Sequence, residues 1–119
     1  MDIKNLIEDY YINWAKRDRQ AVREVLSENF VFRSPQDVCY SADTFLEQCW
    51  HYGDDVDEVK FIKKVIQNNE AFVLLEWFHK NTNTSFHDTE YIKIEDGKFK
   101  EILVIINDPE FYRILMRKK

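Results

Sequence analysis

The 119 residues hold 17 lysines and arginines against 22 aspartates and glutamates, for a formal net charge of -5, with 45% hydrophobic residues and only 2 glycines and 2 prolines. This length suits one domain, residues 1–119, with a single hydrophobic core and little linker, and the acidic balance argues against nucleic acid or an anionic membrane surface as the main partner. No apolar run is long enough to span a bilayer and no leader-like segment opens the chain, so a cytoplasmic protein without a membrane partner is expected.

Cys39 and Cys49 are too few for a disulfide scaffold and read as unpaired thiols of a reducing compartment. Together with His51, His79 and His87 they fall in separate segments with no CxxC or HExxH spacing, so neither a metal site nor a cofactor is expected. The 3 Trp, 6 Tyr and 9 Phe suit a core that also lines an apolar cavity.

In chain order, Ile3, Leu6, Ile7, Tyr10, Tyr11 and Trp14 recur at helical spacing, with Asp2 in place to cap the helix. The polar run Lys16-Arg17-Asp18-Arg19 breaks this stripe. A second, shorter helix then follows on Ala21, Val22, Val25 and Leu26, with Asp18 as its cap. Phe30 to Arg33 reads as a short strand ended by Ser34-Pro35, because proline has no N–H to give a ladder. Residues 36–40 are expected as a loop or ragged edge. Ser41 caps a third helix whose apolar stripe is Ala42, Phe45, Leu46, Cys49 and Trp50. After Gly53-Asp54-Asp55, strands are expected over 59–66 and 71–80, joined at Asn68-Asn69, with a polar turn over 81–85.

TEYIKI and KFKEILVI alternate with period two around Asp96-Gly97, the signature of an antiparallel hairpin whose glycine accepts a positive φ. Asn107-Asp108-Pro109 ends the last strand and supplies an N-cap and first residue for a terminal turn or helix through Phe111, Tyr112 and Leu115. The basic stretch 113–119 is a solvated tail. Three early helices on one face of a curved, mainly antiparallel sheet make an α+β architecture.

The segments YINWAKRDRQAVREVLSENFVFRSP and EYIKIEDGKFKEILVIIND resemble the cone-shaped α+β fold shared by nuclear transport factor, ketosteroid isomerases, scytalone dehydratase and SnoaL-like polyketide cyclases. The resemblance extends over nearly the whole chain. It implies that Tyr10 matches the oxyanion-holding tyrosine of ketosteroid isomerases and that Glu90 matches their acidic hydrogen-bond donor. Their catalytic aspartate, however, is replaced by Ser34, which is not basic at neutral pH without an activating partner. His79, His87 or Asp88 would have to supply a base from elsewhere. The cyclase pattern is also broken, with Ile102 at its histidine position and Val104 at its aspartate position.

The expected function is therefore a domain that binds a small apolar oxygenated molecule in an internal pocket. Tyr10 and Glu90 orient it, and Trp14, Phe32, Ser34, Phe45, Cys49, Trp77 and Ile106 line the pocket. Two alternatives stand beside it. One is a noncanonical isomerase, cyclase or dehydratase in which Tyr10 and Glu90 stabilise charge and His79 or His87 acts as base. The other is an interaction scaffold that pairs as a homodimer through the open sheet face, including parts of 59–66 and 103–105. Each site residue also has a plain structural use: Tyr10, Trp14, Phe45 and Trp77 can simply pack beneath the sheet, and Glu90 and the histidines can sit on wet faces.

Overall fold

The structure, a computed structural model, describes residues 2–105 and 108. Among these residues there are three α-helices, α1 (Ile3–Ala15), α2 (Arg19–Glu24) and α3 (Ala42–Cys49), and six strands. These are β1 (Leu26–Arg33), β2 (Val38–Cys39), β3 (Val56–Gln67), β4 (Glu70–His79), β5 (Ser85–Glu95) and β6 (Lys98–Ile105). Three of the four expected caps form, and the helix or turn expected after Asp108 lies outside the described residues. The Asp2, Asp18 and Ser41 side chains accept from the backbone N–H groups of Asn5, Ala21 and Thr44, satisfying donors that a helix start leaves unpaired.

The sheet runs in the order β2-β1-β6-β5-β4-β3. It is antiparallel except where β1 lies parallel to β6, with Phe32 opposite Ile102. Long β3, β4 and β5 are consecutive antiparallel neighbours. Two-residue reversals join β3 to β4 and β5 to β6. Asn68 (φ 55°) makes the first, and Asp96 (φ 53°) with Gly97 (φ 75°) makes the second. Side chains that tolerate left-handed backbone stand where the hairpins need it.

Several boundaries move from the sequence expectation, with β3 starting at Val56 instead of residue 59 and β5 at Ser85, the last residue of the expected turn. The second helix stops at Glu24, and the strand after it begins at Leu26 instead of Phe30. Val25 and Leu26 continue the helical apolar stripe, but the Phe99 N–H bonds the Val25 carbonyl, drawing the chain onto β6. The ragged edge expected at 36–40 contains β2, a two-residue strand with Cys39 opposite Phe32. Ile106 and the terminal segment through Phe111, Tyr112 and Leu115 lie outside the described residues. Asp108 is described, and its carboxylate accepts the His87 backbone N–H at 2.6 Å.

Helix α1 packs against β3 and α3 against β1. Between helices and sheet lies the core, which includes Ile7, Val22, Leu26, Phe30, Phe45, Leu75, Ile92, Phe99 and Ile102. Burying each such side chain contributes about 1.5–3 kcal/mol. Strand β5 alternates strictly, so Phe86, Asp88, Glu90, Ile92 and Ile94 all face this core. Two carboxyls thus enter an otherwise apolar layer. Among the described residues no helix is long and apolar enough to cross a membrane.

Candidate functional site

A cavity of about 110 Å³ lies between α1, α3 and the inner sheet face. Its wall includes Tyr10, Tyr11 and Trp14 from α1, Phe32 and Ser34 at the end of β1, and Phe45 and Cys49 from α3. Trp77, Phe86, Asp88, Glu90 and Val104 come from the sheet. Ser34, Gln36 and Tyr52 are the partly or fully exposed residues of one rim. The volume is comparable to the ~150 Å³ cavity that holds a benzene ring.

Helical spacing puts Tyr10, Tyr11 and Trp14 on the face of α1 that the sheet covers. Tyr10 stacks on Phe99 with ring centroids 4.5 Å apart, while Tyr11 meets Trp77 edge-on at 6.2 Å. At the other side, Phe45 contacts both Phe32 and Trp14. These rings make the cavity wall mostly aromatic.

Its polar feature is a set of four side chains. The Tyr11 hydroxyl donates to Glu90 Oε1 at 2.6 Å, and the Trp77 indole N–H donates to Asp88 Oδ2 at 3.1 Å. Asp88 and Glu90, successive inward residues of β5, are 5% and 7% exposed. Burial, followed by the charge of Asp88, holds Glu90 well above the ordinary carboxylate range. Burial raises Asp88 as well, but Glu90 and the Trp77 N–H oppose that rise. Asp88 Oδ1 is buried with no hydrogen-bond partner. No lysine, arginine or histidine stands among the described lining residues to offset the charge.

Nine of the candidate site residues named from sequence line this cavity together: Tyr10, Trp14, Phe32, Ser34, Phe45, Cys49, Trp77, Asp88 and Glu90. His79 and His87 do not. His87 projects from the outer face of β5, opposite Glu76 and 53% exposed at its side chain, with Nδ1 3.4 Å from Asp108. His79 follows Trp77 at the end of β4, beyond the cavity wall, with Nε2 buried and unpartnered. Of the three candidate bases, His79, His87 and Asp88, the cavity wall contains Asp88 and neither histidine; on β5, period-two geometry turns residue 88 inward and 87 outward. The phenol bonded to Glu90 is likewise Tyr11, one residue beyond Tyr10. Both lie in the same helical stripe, and spacing does not decide which oxygen reaches β5. Asp88 is legible from alternation with Glu90 and Ile92. Gln36, Tyr52 and Phe86 come from loop and strand ends with no comparable signal.

No protein-family model and no curated protein matches the chain. Solved structures do. An NTF2-like protein of unknown function from Cytophaga hutchinsonii superposes with a TM-score of 0.70 at 14% identity, covering 90% of this chain and 91% of its own. A protein from Sinorhizobium meliloti, provisionally assigned as a polyketide cyclase, gives 0.73 at 12% identity over 85% and 94%. A de novo designed protein with a curved β-sheet gives 0.83 at 16% identity over 98% and 96%. With helices packed on one curved sheet, six-stranded among the described residues, this chain has the α+β fold of these NTF2-like neighbours.

Proposed function

We propose that this protein binds a small, mostly apolar oxygenated molecule in the cavity beneath its sheet. The observation that carries this reading is the pairing of Tyr11 with Glu90 and of Trp77 with Asp88 in an aromatic wall. Apolar rings supply contact area while a few convergent polar groups fix orientation, which is the usual composition of a small-molecule site. A carboxyl pair buried with no cation is costly for folding alone, so a ligand role accounts for its retention better than packing does.

Trp14 and Trp77 stand in the wall and report occupancy through their fluorescence. Titration with ring-sized oxygenated compounds is expected to give a saturable change. Val104→Phe, which fills the cavity from β6, is expected to abolish it while leaving the far-ultraviolet circular dichroism intact. Native mass spectrometry of freshly isolated protein adds a direct search for a retained small molecule. Absence of saturable binding by any ring compound, with no retained molecule, sinks the proposal.

A second reading, self-association through the outer sheet face, has its own observation. Val65, Phe72, Tyr91 and Leu103 are successive cross-strand partners on that face, and Phe72 is 51% exposed. Leu74, Thr89 and Ile105 form the adjoining row. Binding inside the cavity and pairing outside it use opposite faces and do not compete.

A further inference from the structure

Resting on the cavity-binding reading, we infer that the site selects a ring-sized ligand bearing a hydroxyl, such as a phenol or enol, whose O–H donates to Asp88 Oδ1. Two donors of the network already have acceptors. Tyr11 has one O–H, and it is spent on Glu90. Trp77 has one N–H, and it is spent on Asp88 Oδ2. Both of these donors are therefore spent, and Asp88 Oδ1 is left as an acceptor with no partner.

Asp88 is only 5% exposed, lines the cavity, and keeps one oxygen, Oδ1, with no hydrogen-bond partner. A carboxylate has about four lone-pair positions, and Trp77 serves only Oδ2. A ligand carbonyl or ether brings another acceptor to this oxygen and is repelled. A ligand hydroxyl completes it with a charge-assisted bond.

An ammonium ligand is the competing donor, since aromatic walls also attract cations. It brings three N–H groups, or two on a secondary amine, and each needs an acceptor. Beside Asp88 and Glu90 the wall is mainly rings, Tyr10, Tyr11, Trp14, Phe45, Trp77 and Phe86, with the polar Ser34, Gln36 and Tyr52 at the rim, so the extra N–H groups of an ammonium find acceptors only at tyrosine oxygens or the rim. One O–H needs one acceptor, and Asp88 Oδ1 provides it. No bond is made or broken in the binding step, and no proton leaves the ligand.

The test uses phenol, anisole, acetophenone and benzylamine against the intact protein, with tryptophan fluorescence and ligand-observed saturation-transfer NMR as readouts. Phenol is expected to bind about tenfold to a hundredfold more tightly than anisole or acetophenone, the range of a hydrogen bond to a charged group. In Asp88→Asn, whose amide N–H₂ replaces an acceptor with donors, that gap is expected to close, with acetophenone gaining on phenol. The wild-type ratio needs no variant, so poor folding of Asp88→Asn leaves the inference exposed to test. Equal binding of phenol and anisole to the wild type overturns the hydroxyl assignment and leaves the cavity reading standing. Benzylamine ahead of phenol overturns it in favour of a cation site. Binding of none of the four overturns the cavity reading beneath it.

Discussion

At the scale of single residues, Glu90 and Asp88 give the molecule a defined pH dependence. Both carboxyls are raised above their unfolded values by burial, with the Asp88 charge adding to the rise at Glu90. The folded state therefore holds a proton that the unfolded chain has released. Stability falls with rising pH across the window from the ordinary carboxylate range, near 4.5, up to the folded value of Glu90. The other titratable groups on the wall, Tyr10, Tyr11, Cys49 and Tyr52, are all pushed upward by burial, away from neutrality. Glu90→Gln keeps an oxygen for Tyr11 but cannot ionise. Urea unfolding from pH 5 to 9 is expected to show a decline in the wild type that is much shallower in Glu90→Gln. Parallel profiles would show that the proton is not held at Glu90. The residue types of this network are legible in sequence, and Glu90 is marked by its place before the Asp96-Gly97 turn. Its partner phenol is not, because two adjacent tyrosines both belong to the buried stripe of α1 and only tertiary packing chooses between them.

At the scale of elements, the least expected feature joins the end of α1 to the 3₁₀ turn Trp50–Gly53 that follows α3. Arg17, at φ 61°, lays its guanidinium over the Trp50 ring, 3.9 Å from the centroid. It donates to the Trp50 carbonyl at 2.6 Å and to Asp54 at 3.0 Å. Gly53 is the residue that makes room: a Cβ there would stand 2.0 Å from Arg17 Nη1 and 3.2 Å from Trp14. Gly53→Ala displaces the guanidinium, the mobile end of the Arg17 side chain, and strains its bonds to Trp50 and Asp54, at a cost on the order of 1 kcal/mol. In an Arg17→Ala background the same change is expected to cost far less. This non-additivity, measured as a double-mutant cycle in urea, separates a steric clash with Arg17 from a general effect of altering the turn. Additive costs would refute the clash. In sequence, Gly53 reads as a helix terminator and Arg17 as part of a polar break, both correct locally. The contact joins two distant segments, which no periodicity encodes. The cap residues and both tight reversals are legible for the opposite reason, since each is decided within about four residues.

At the scale of the whole molecule, the sheet has two faces with inverted chemistry. Its inner face, covered by helices, accepts Asp88 and Glu90, while its outer face presents Phe72, Leu74, Leu103 and Ile105 among charged neighbours such as Lys63 and Glu101. The period-two pattern of β4 and β5 makes this division readable, but β3 blurs it. There Val56 to Gln67 contains bulges between Val56 and Glu58 and between Phe61 and Lys63, so alternation changes phase along the strand. Past the second bulge Lys64 turns inward, where Nζ pairs with Glu8 of α1 at 2.9 Å, and Val65 turns outward beside Phe72. An outer row that is apolar at its centre and charged at its margins fits a two-fold interface, in which one patch meets its own copy. Such a dimer must bury about 800 Å² from each partner to be stable, and Phe72, central in its row, is the residue where a charge is most disruptive. Phe72→Lys places an ammonium opposite its own copy or near it. Light scattering after size exclusion is expected to find the wild type at twice the chain mass and Phe72→Lys at the chain mass, with the phenol titration unchanged because the cavity lies on the other face. A wild type that stays at the mass of one chain at its highest soluble concentration removes self-pairing as the use of this face, and a dimer that survives Phe72→Lys places the interface elsewhere.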